Sequence, residues 1–402
     1  METELLCRQI LEELDLGEEN DDAQLKQRIE QKVWEYAKGH LISLEEEQRY
    51  AKEIFHSLRK LDVLEELLQD EEVTEIMVNG YQKIFYEKKG RLYTWEKQFS
   101  GKDKLEDVIQ KIVAKNNRVV NEAMPIADAR LEDGSRIHIV LEPVAIDGSC
   151  ITIRKFPKEA MTMERLLELG TLNEEMAEFL DKLAKARYNI FISGGTGSGK
   201  TTFLNALSGC IPKTERIITI EDSAELQLQG VANLIRLETR NANVKGMTEI
   251  TIRDLIRAAL RMRPDRIIVG ECRGAEALDM LQAMNTGHDG SLSTGHANSC
   301  EDMLHRLETM VLMGMELPLP AIRSQIASGV DLLLHVGRMR DGSRKLLHIT
   351  EIRGYKDGEI RLNPIWQLEE GKTTGRVDVR WKCIGSLEHR QKMERAGYRI
   401  FS

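Results

Sequence analysis

The sequence predicts an α/β protein of more than one module, the larger built on a parallel sheet covered on both faces. Three observations carry that expectation. Short apolar runs without polar alternation, "NIFISG", "RIITIE", "DRIIVG", "GSLST" and "DLLLHV", recur between helix-like stretches from residue 189 onward, as strands buried on both faces require. One of these runs leads through "GGTGSGK" into the helix-like "TTFLNAL". The 402 residues are enough for two or three domains of ordinary size.

Composition sets the outer bounds. Apolar residues make up 41% and charged residues 31%, the profile of a globular chain. A net charge of −9 weighs against a diffuse basic surface for gripping DNA and leaves only a local groove open. No apolar run approaches the roughly 18–20 residues that span a bilayer. The acidic N-terminus lacks the basic-then-apolar order of a signal peptide. Cys7, Cys150, Cys210, Cys272, Cys300 and Cys383 form no C-x-x-C pair, so reduced thiols are expected rather than a zinc site or a disulfide framework.

The elements then follow in order. Residues 1–60 read as a helical, acidic extension, with Leu41, Leu44, Ile54, Phe55 and Leu58, and Leu61 just past it, at roughly helical spacing. Residues 61–156 read as a smaller mixed α/β domain. Strand-like runs break at Asn79-Gly80, Lys89-Gly90 and Asp133-Gly134, around one helical stretch, "KLEDVIQKIVAKNN". The boundary is expected near Phe156–Met161, at Pro157, followed by linker helices over 157–186. Residues 187–402 form the larger domain. Its tail, "LHITEIRGYKDGEIRLNPIWQL", reads as a small antiparallel finish.

Gly194, Gly199, Lys200 and Thr201 satisfy G-x-x-x-x-G-K-[ST]. Glycines let backbone N–H groups converge on phosphate oxygens, and the following helix N-terminus adds donors and a favourable dipole. Gly194, Gly195, Thr196, Gly197, Ser198, Gly199, Lys200, Thr201 and Thr202 are therefore expected to bind a nucleotide. Lys200 would reach the β- and γ-phosphates and the Thr201 hydroxyl would hold Mg²⁺.

Hydrolysis needs more than a cradle. "RMRPDRIIVGECRG" ends a buried strand on Gly270-Glu271, where a side chain points into the ligand crevice. Glu271 is placed either to hold the metal shell or to polarise the attacking water. Glu221, Asp222 and Glu225 follow another buried strand; they either share a metal-bound water or cap the next turn, and Glu225 is the most structural of them. His288 and His296 sit among glycines in "NTGHDGSLSTGHANS". His296 is suited to donate to the γ-phosphate or to sense its loss. Arg253, Arg257 and Arg261 fall at i, i+4 and i+8 on a helix ended by Pro264, either a solvated basic face or a subunit contact. Arg130, Arg136 and Arg154 lie in or beside strand-like segments of the smaller domain.

Together "GGTGSGKTT", "TIEDSAEL", "LRMRPDRIIVGECRG" and "AMNTGHDGSLSTGHANS" resemble the secretion-ATPase superfamily that powers type II and type IV secretion and type IV pili. "VTEIMVNG", "ARLEDGSRIHIV" and "ITIRKF" resemble the N-terminal domain of its Flp/Tad (tight adherence) pilus-assembly branch. The resemblance covers roughly residues 60–355. It implies a RecA-like P-loop NTPase domain preceded by a smaller PAS-like α/β domain and N-terminal helices. It also implies a homo-hexamer that hydrolyses ATP with Mg²⁺ at subunit interfaces. Carried over by motif, Thr201 and Glu271 attend the metal, Glu221, Glu271 and His296 serve the chemistry, and Arg136 and Arg154 reach the γ-phosphate of a neighbouring subunit.

The implied partners are inner-membrane platform proteins, with peripheral membrane association through them, a cytoplasmic location and no stable nucleic-acid binding. Type IV secretion or conjugation is the alternative, and a DNA-translocating ring the more remote one. Two departures stand out. The four-cysteine zinc insertion of the type II secretion branch is missing, and Gly295 stands where that family often has a β-branched residue. The N-terminal extension is also short for a large membrane-docking domain.

Overall fold

The computed structural model describes residues 22–40, 42–116, 119–156, 159–240, 248–371 and 379–398. Leu41, Pro157 and Cys7, singled out above, lie outside them. The chain divides into two compact units, Met1–Lys158 and Glu159–Ser402.

In the first unit, helices Asp22–Ala37 and Leu44–Arg59 close a small core of Leu25, Ile29 and Val33 against Tyr50, Ile54 and Phe55. The second helix opens on a capping box: Glu46 N donates to Ser43 Oγ, and Ser43 N to Glu46 Oε2. Leu44, which its spacing placed with the apolar residues, is 70% exposed at the first turn of its helix.

A sheet of six strands follows: β1 (Val73–Asn79), β2 (Lys83–Lys88), β3 (Arg91–Thr94), β4 (Ile126–Arg130), β5 (Arg136–Val140) and β6 (Cys150–Arg154). Their order is β3-β2-β1-β6-β5-β4, and every pairing is antiparallel. Helix Lys102–Lys115 lays Leu105, Val108, Ile109, Ile112 and Val113 on one face of this sheet, the i, i+3, i+4, i+7, i+8 stripe of an amphipathic helix. Ile137 and Ile139 alternate inward with Arg136 and His138 outward, the strand period of two.

The second unit carries β7 (Ile190–Gly194), β8 (Ile217–Glu221), β9 (Leu234–Glu238), β10 (Arg266–Val269), β11 (Leu292–His296), β12 (Leu332–Arg338), β13 (Arg344–Lys356), β14 (Glu359–Glu370) and β15 (Val379–Cys383). They form one nine-stranded sheet in the order β15-β14-β13-β12-β7-β11-β10-β8-β9. From β12 to β9 every pairing is parallel; from β12 to β15 every pairing is antiparallel. Both faces of the parallel part are covered. Ile190 and Ile192 join Leu180, Leu183, Phe203 and Leu207 on one side; Phe191, Ile218 and Ile220 join Leu278, Met303 and Leu307 on the other. Burial on both faces is why these strands lack polar alternation.

Three sequence expectations change here. The tail is no small finish: β13 and β14 run to 13 and 12 residues and prolong the main sheet from β12. The segment beyond is tied down by the buried Glu351, which accepts from the backbone N–H groups of Glu388 and His389 and from Asn363 Nδ2. Strand β9, with the mixed sequence Leu-Ile-Arg-Leu-Glu, closes the sheet edge where no strand was expected. Helix Ile252–Ala259 ends before Arg261, so the arginines do not share one helical face. Arg253 and Arg257 both bond the buried carboxylate of Asp279, at 2.7 and 2.9 Å, and pin this helix to the next. No described helix is long and apolar enough to cross a membrane.

Candidate active site

Strand β7 ends on Gly194, and helix Lys200–Ser208 begins at Lys200. A β-carbon on Gly194 would collide with the Val336 carbonyl of β12, so only glycine lets the neighbouring strand pass. Gly197 and Gly199 hold φ of +71° and +89°, backbone that L side chains rarely adopt. Gly195 and Gly197 face open space. The Ser198 hydroxyl is buried and has no hydrogen-bond partner among the described residues, an unmet polar group of the kind a bound ligand satisfies.

Lys200 spans this cradle. Its Nζ donates to Gly195 O at 3.0 Å and approaches His296 Nδ1 at 3.2 Å. Burial lowers the lysine's pKa, with Glu271 opposing that effect. Burial and the lysine charge lower the pKa of His296 as well, so the ring is neutral at pH 7. Its Nδ1 accepts from Lys200, and its protonated Nε2 stands 2.8 Å from Glu271 Oε1. That last contact lies off the line of a hydrogen bond, and Oε1 has no hydrogen-bond donor among the described residues. The other carboxylate oxygen, Oε2, accepts from Arg273 Nη2 at 2.7 Å. Arg273 also lies 3.6 Å from Asp222.

The sheet aligns these groups. His296 is the last residue of β11 and pairs with Gly194 of β7. Gly270 N donates to Ile220 O, and Thr294 Oγ1 donates to Gly270 O. The carboxyl ends of four parallel strands therefore converge beside the glycine loop, as ligand crevices of such sheets do.

Glu221 is set differently. It is 3% exposed and its Cγ packs where a β-carbon of Gly270 would stand. Oε1 accepts from the backbone N–H groups of Glu225 and Leu226, at 2.9 and 3.0 Å, while Oε2 has no partner among the described residues. Burial pushes its pKa up to about 7, against those two amides. Glu225 contributes through its backbone in this contact.

Other expected residues fall elsewhere. His288 stands beside the Ala283 carbonyl, at 3.3 Å, away from the glycine loop. Arg136 and Arg154 lie in the first unit, directly opposite each other across β5 and β6, with Arg130 opposite Arg136 on β4. Three arginines thus form one row across three strands. Arg273 was not anticipated; its only signal is a cation two residues after Glu271.

The cradle suits a polyphosphate: open glycine faces, a central lysine and a helix N-terminus. Thr201 and Glu271 supply the oxygen donors that Mg²⁺ prefers.

Residues 57–351 match the family described as Type II/IV secretion system protein. The chain belongs to the type II/IV secretion ATPase superfamily. It is 33% identical to the type IV secretion system protein PtlH of Bordetella pertussis over 325 residues, covering 74% of this chain and 94% of that one. It is 34% identical to the type IV secretion system protein VirB11 of Brucella suis biovar 1 over 323 residues, covering 73% and 88%. The ADP-bound pilus retraction motor PilT superposes with a TM-score of 0.54 at 21% identity, over 72% of this chain and 82% of that one. The superfamily's architecture, a RecA-like ATPase domain preceded by a smaller α/β domain, is that of this chain.

Proposed function

We propose that this superfamily member is an ATP-hydrolysing motor that works as a homo-hexamer and drives assembly of a Flp/Tad-type pilus or protein secretion across the inner membrane. The contact chain from Lys200 through His296 to Glu271 carries the proposal. It joins the group that would grip the terminal phosphates to the group that would ready a water. Residues Gly194 to Thr202 would bind the triphosphate. Thr201 and Glu271 would hold Mg²⁺, which when bound neutralises phosphate charge and orients the terminal group.

Within that frame Glu271 accepts a proton from the attacking water or aligns it. His296, neutral in its present surroundings, would donate to the terminal phosphate through its protonated Nε2, since its Nδ1 accepts from Lys200. Glu221 sits behind them with an unpaired oxygen. Arg136 and Arg154 are assigned to the γ-phosphate of the adjacent subunit, where a guanidinium stabilises transferred charge. The partners are inner-membrane platform proteins, and the location is the cytoplasmic face of that membrane.

A second reading, an ATPase of type IV secretion or conjugation, is favoured by what PtlH and VirB11 are named for. A DNA-translocating ring would be exposed by stimulation of turnover by DNA.

Mixing tests both the chemistry and the ring. Lys200→Ala and Arg136→Ala proteins, each inactive alone, should regain part of the ATP turnover when combined. No recovery at any ratio, in particles shown to be mixed, would place Arg136 outside the shared site. A parent protein that neither binds nor hydrolyses ATP with Mg²⁺ would remove the function.

A further inference from the structure

The turn between β12 and β13 delivers a second cation to the glycine loop. Arg344 Nε donates to the Gly197 carbonyl at 3.1 Å, and its Cδ stands 3.0 Å from where a β-carbon on Gly199 would be. The placement is built by the sheet. β12 runs parallel to β7 with Val336 beside Gly194, and Arg344 pairs with Arg338 where the hairpin closes. Within the turn, Met339 N donates to Ser343 O, Gly342 N to Met339 O, and Ser343 N and Oγ to Asp341 Oδ1. Among the described residues no carboxylate pairs with Arg344, so its charge is not neutralised beside the loop.

A trans peptide fixes what this contact does. The Gly197 carbonyl and the Ser198 N–H belong to one planar unit and point in opposite directions. Drawing the carbonyl outward to Arg344 turns the Ser198 N–H inward. Among the described residues that amide makes a single long bond, 3.4 Å to Gly195 O, the carbonyl that Lys200 also holds.

We propose that Arg344 is a positioning residue for the nucleotide: it braces Gly197 from outside so that the Ser198 amide faces the phosphates. It also adds positive charge at their edge. The inference rests on the nucleotide-binding function proposed above.

The test compares binding of fluorescent ADP by the full-length parent, Arg344→Ala and Arg344→Lys proteins. Loss of one charge-assisted bond predicts about tenfold weaker ADP binding by Arg344→Ala. The exposed side chain should leave the melting temperature of the unliganded protein unchanged, and kcat at saturating ATP should stay within about twofold, since uniform binding alone is lost. Arg344→Lys, which keeps a donor and the charge, should recover most of the affinity. Binding by Arg344→Ala within twofold of the parent would overturn the brace. So would an Arg344→Lys protein no better than Arg344→Ala, because the loss would then lie in packing of the arginine stem. A parent that does not bind ADP would overturn the proposed function and, with it, the ligand this brace serves. Parental binding with unchanged variants sinks the brace alone.

Discussion

Glu221 ends β8 and Glu271 lies just past β10, two neighbouring parallel strands, yet their surroundings make different groups of them. Glu271 sits in a charged corner, with Arg273 on one oxygen and His296, backed by Lys200, against the other. Glu221 is enclosed, held by two backbone amides and packed over Gly270. Position at a strand end makes an acid available; the neighbours decide its charge. The enclosure of Glu221 pushes its pKa up to about 7, which favours the protonated acid under mildly acidic conditions.

The contrast breaks most visibly at Glu271. Glu271→Gln should retain ADP binding and lose about 10²–10⁴ in kcat, the usual worth of an acid–base group. Parental turnover in that variant would move the chemistry to Glu221. A smaller effect is expected from Arg273→Gln, which leaves Glu271 Oε2 without its cation. Turnover should fall about tenfold, the lower end of what a charge-assisted hydrogen bond contributes, with ADP affinity unchanged. An unchanged kcat would make Arg273 a surface ion pair only.

The smallest effect concerns stability and sharpens the Glu221 side. A carboxyl whose pKa rises on folding favours the folded state while protonated. That contribution is present below the unfolded value near 4.5 and is lost as pH rises to about 7. Glu221→Gln keeps the neutral shape at every pH. Its melting temperature should therefore exceed the parent's at pH 8 by a few degrees and converge with it near pH 5. Parallel melting curves of parent and variant against pH would mean that Glu221 is not enclosed as described.

Much of this site is readable before any fold is known, for a physical reason. Gly194, Gly197 and Gly199 are dictated by backbone conformation and close approach, and Lys200 by its place at a helix start, so local sequence carries them. The apolar run before Glu271 likewise announces a strand end. What sequence does not carry is set by distant chain. Arg344 reaches Gly197 only because β12 pairs with β7, and Arg273 comes within 3.6 Å of Asp222, just past β8, only because β10 pairs with β8. The length of β13 and β14 depends on β12 offering an open edge, and strand β9 on β8 doing the same. The row made by Arg136 and Arg154 needs the register of β5 against β6, which spacing alone does not fix.

The glycine loop is anchored unevenly. At Gly194 it is wedged against β12, while Gly195 and Gly197 face empty space. Held as well by Arg344 at the Gly197 carbonyl and by the helix that starts at Lys200, such a loop can tighten over a few residues but cannot swing away from the sheet. Any stroke the molecule delivers would then originate in whatever that short tightening releases, beginning with Lys200 letting go of Gly195 and His296.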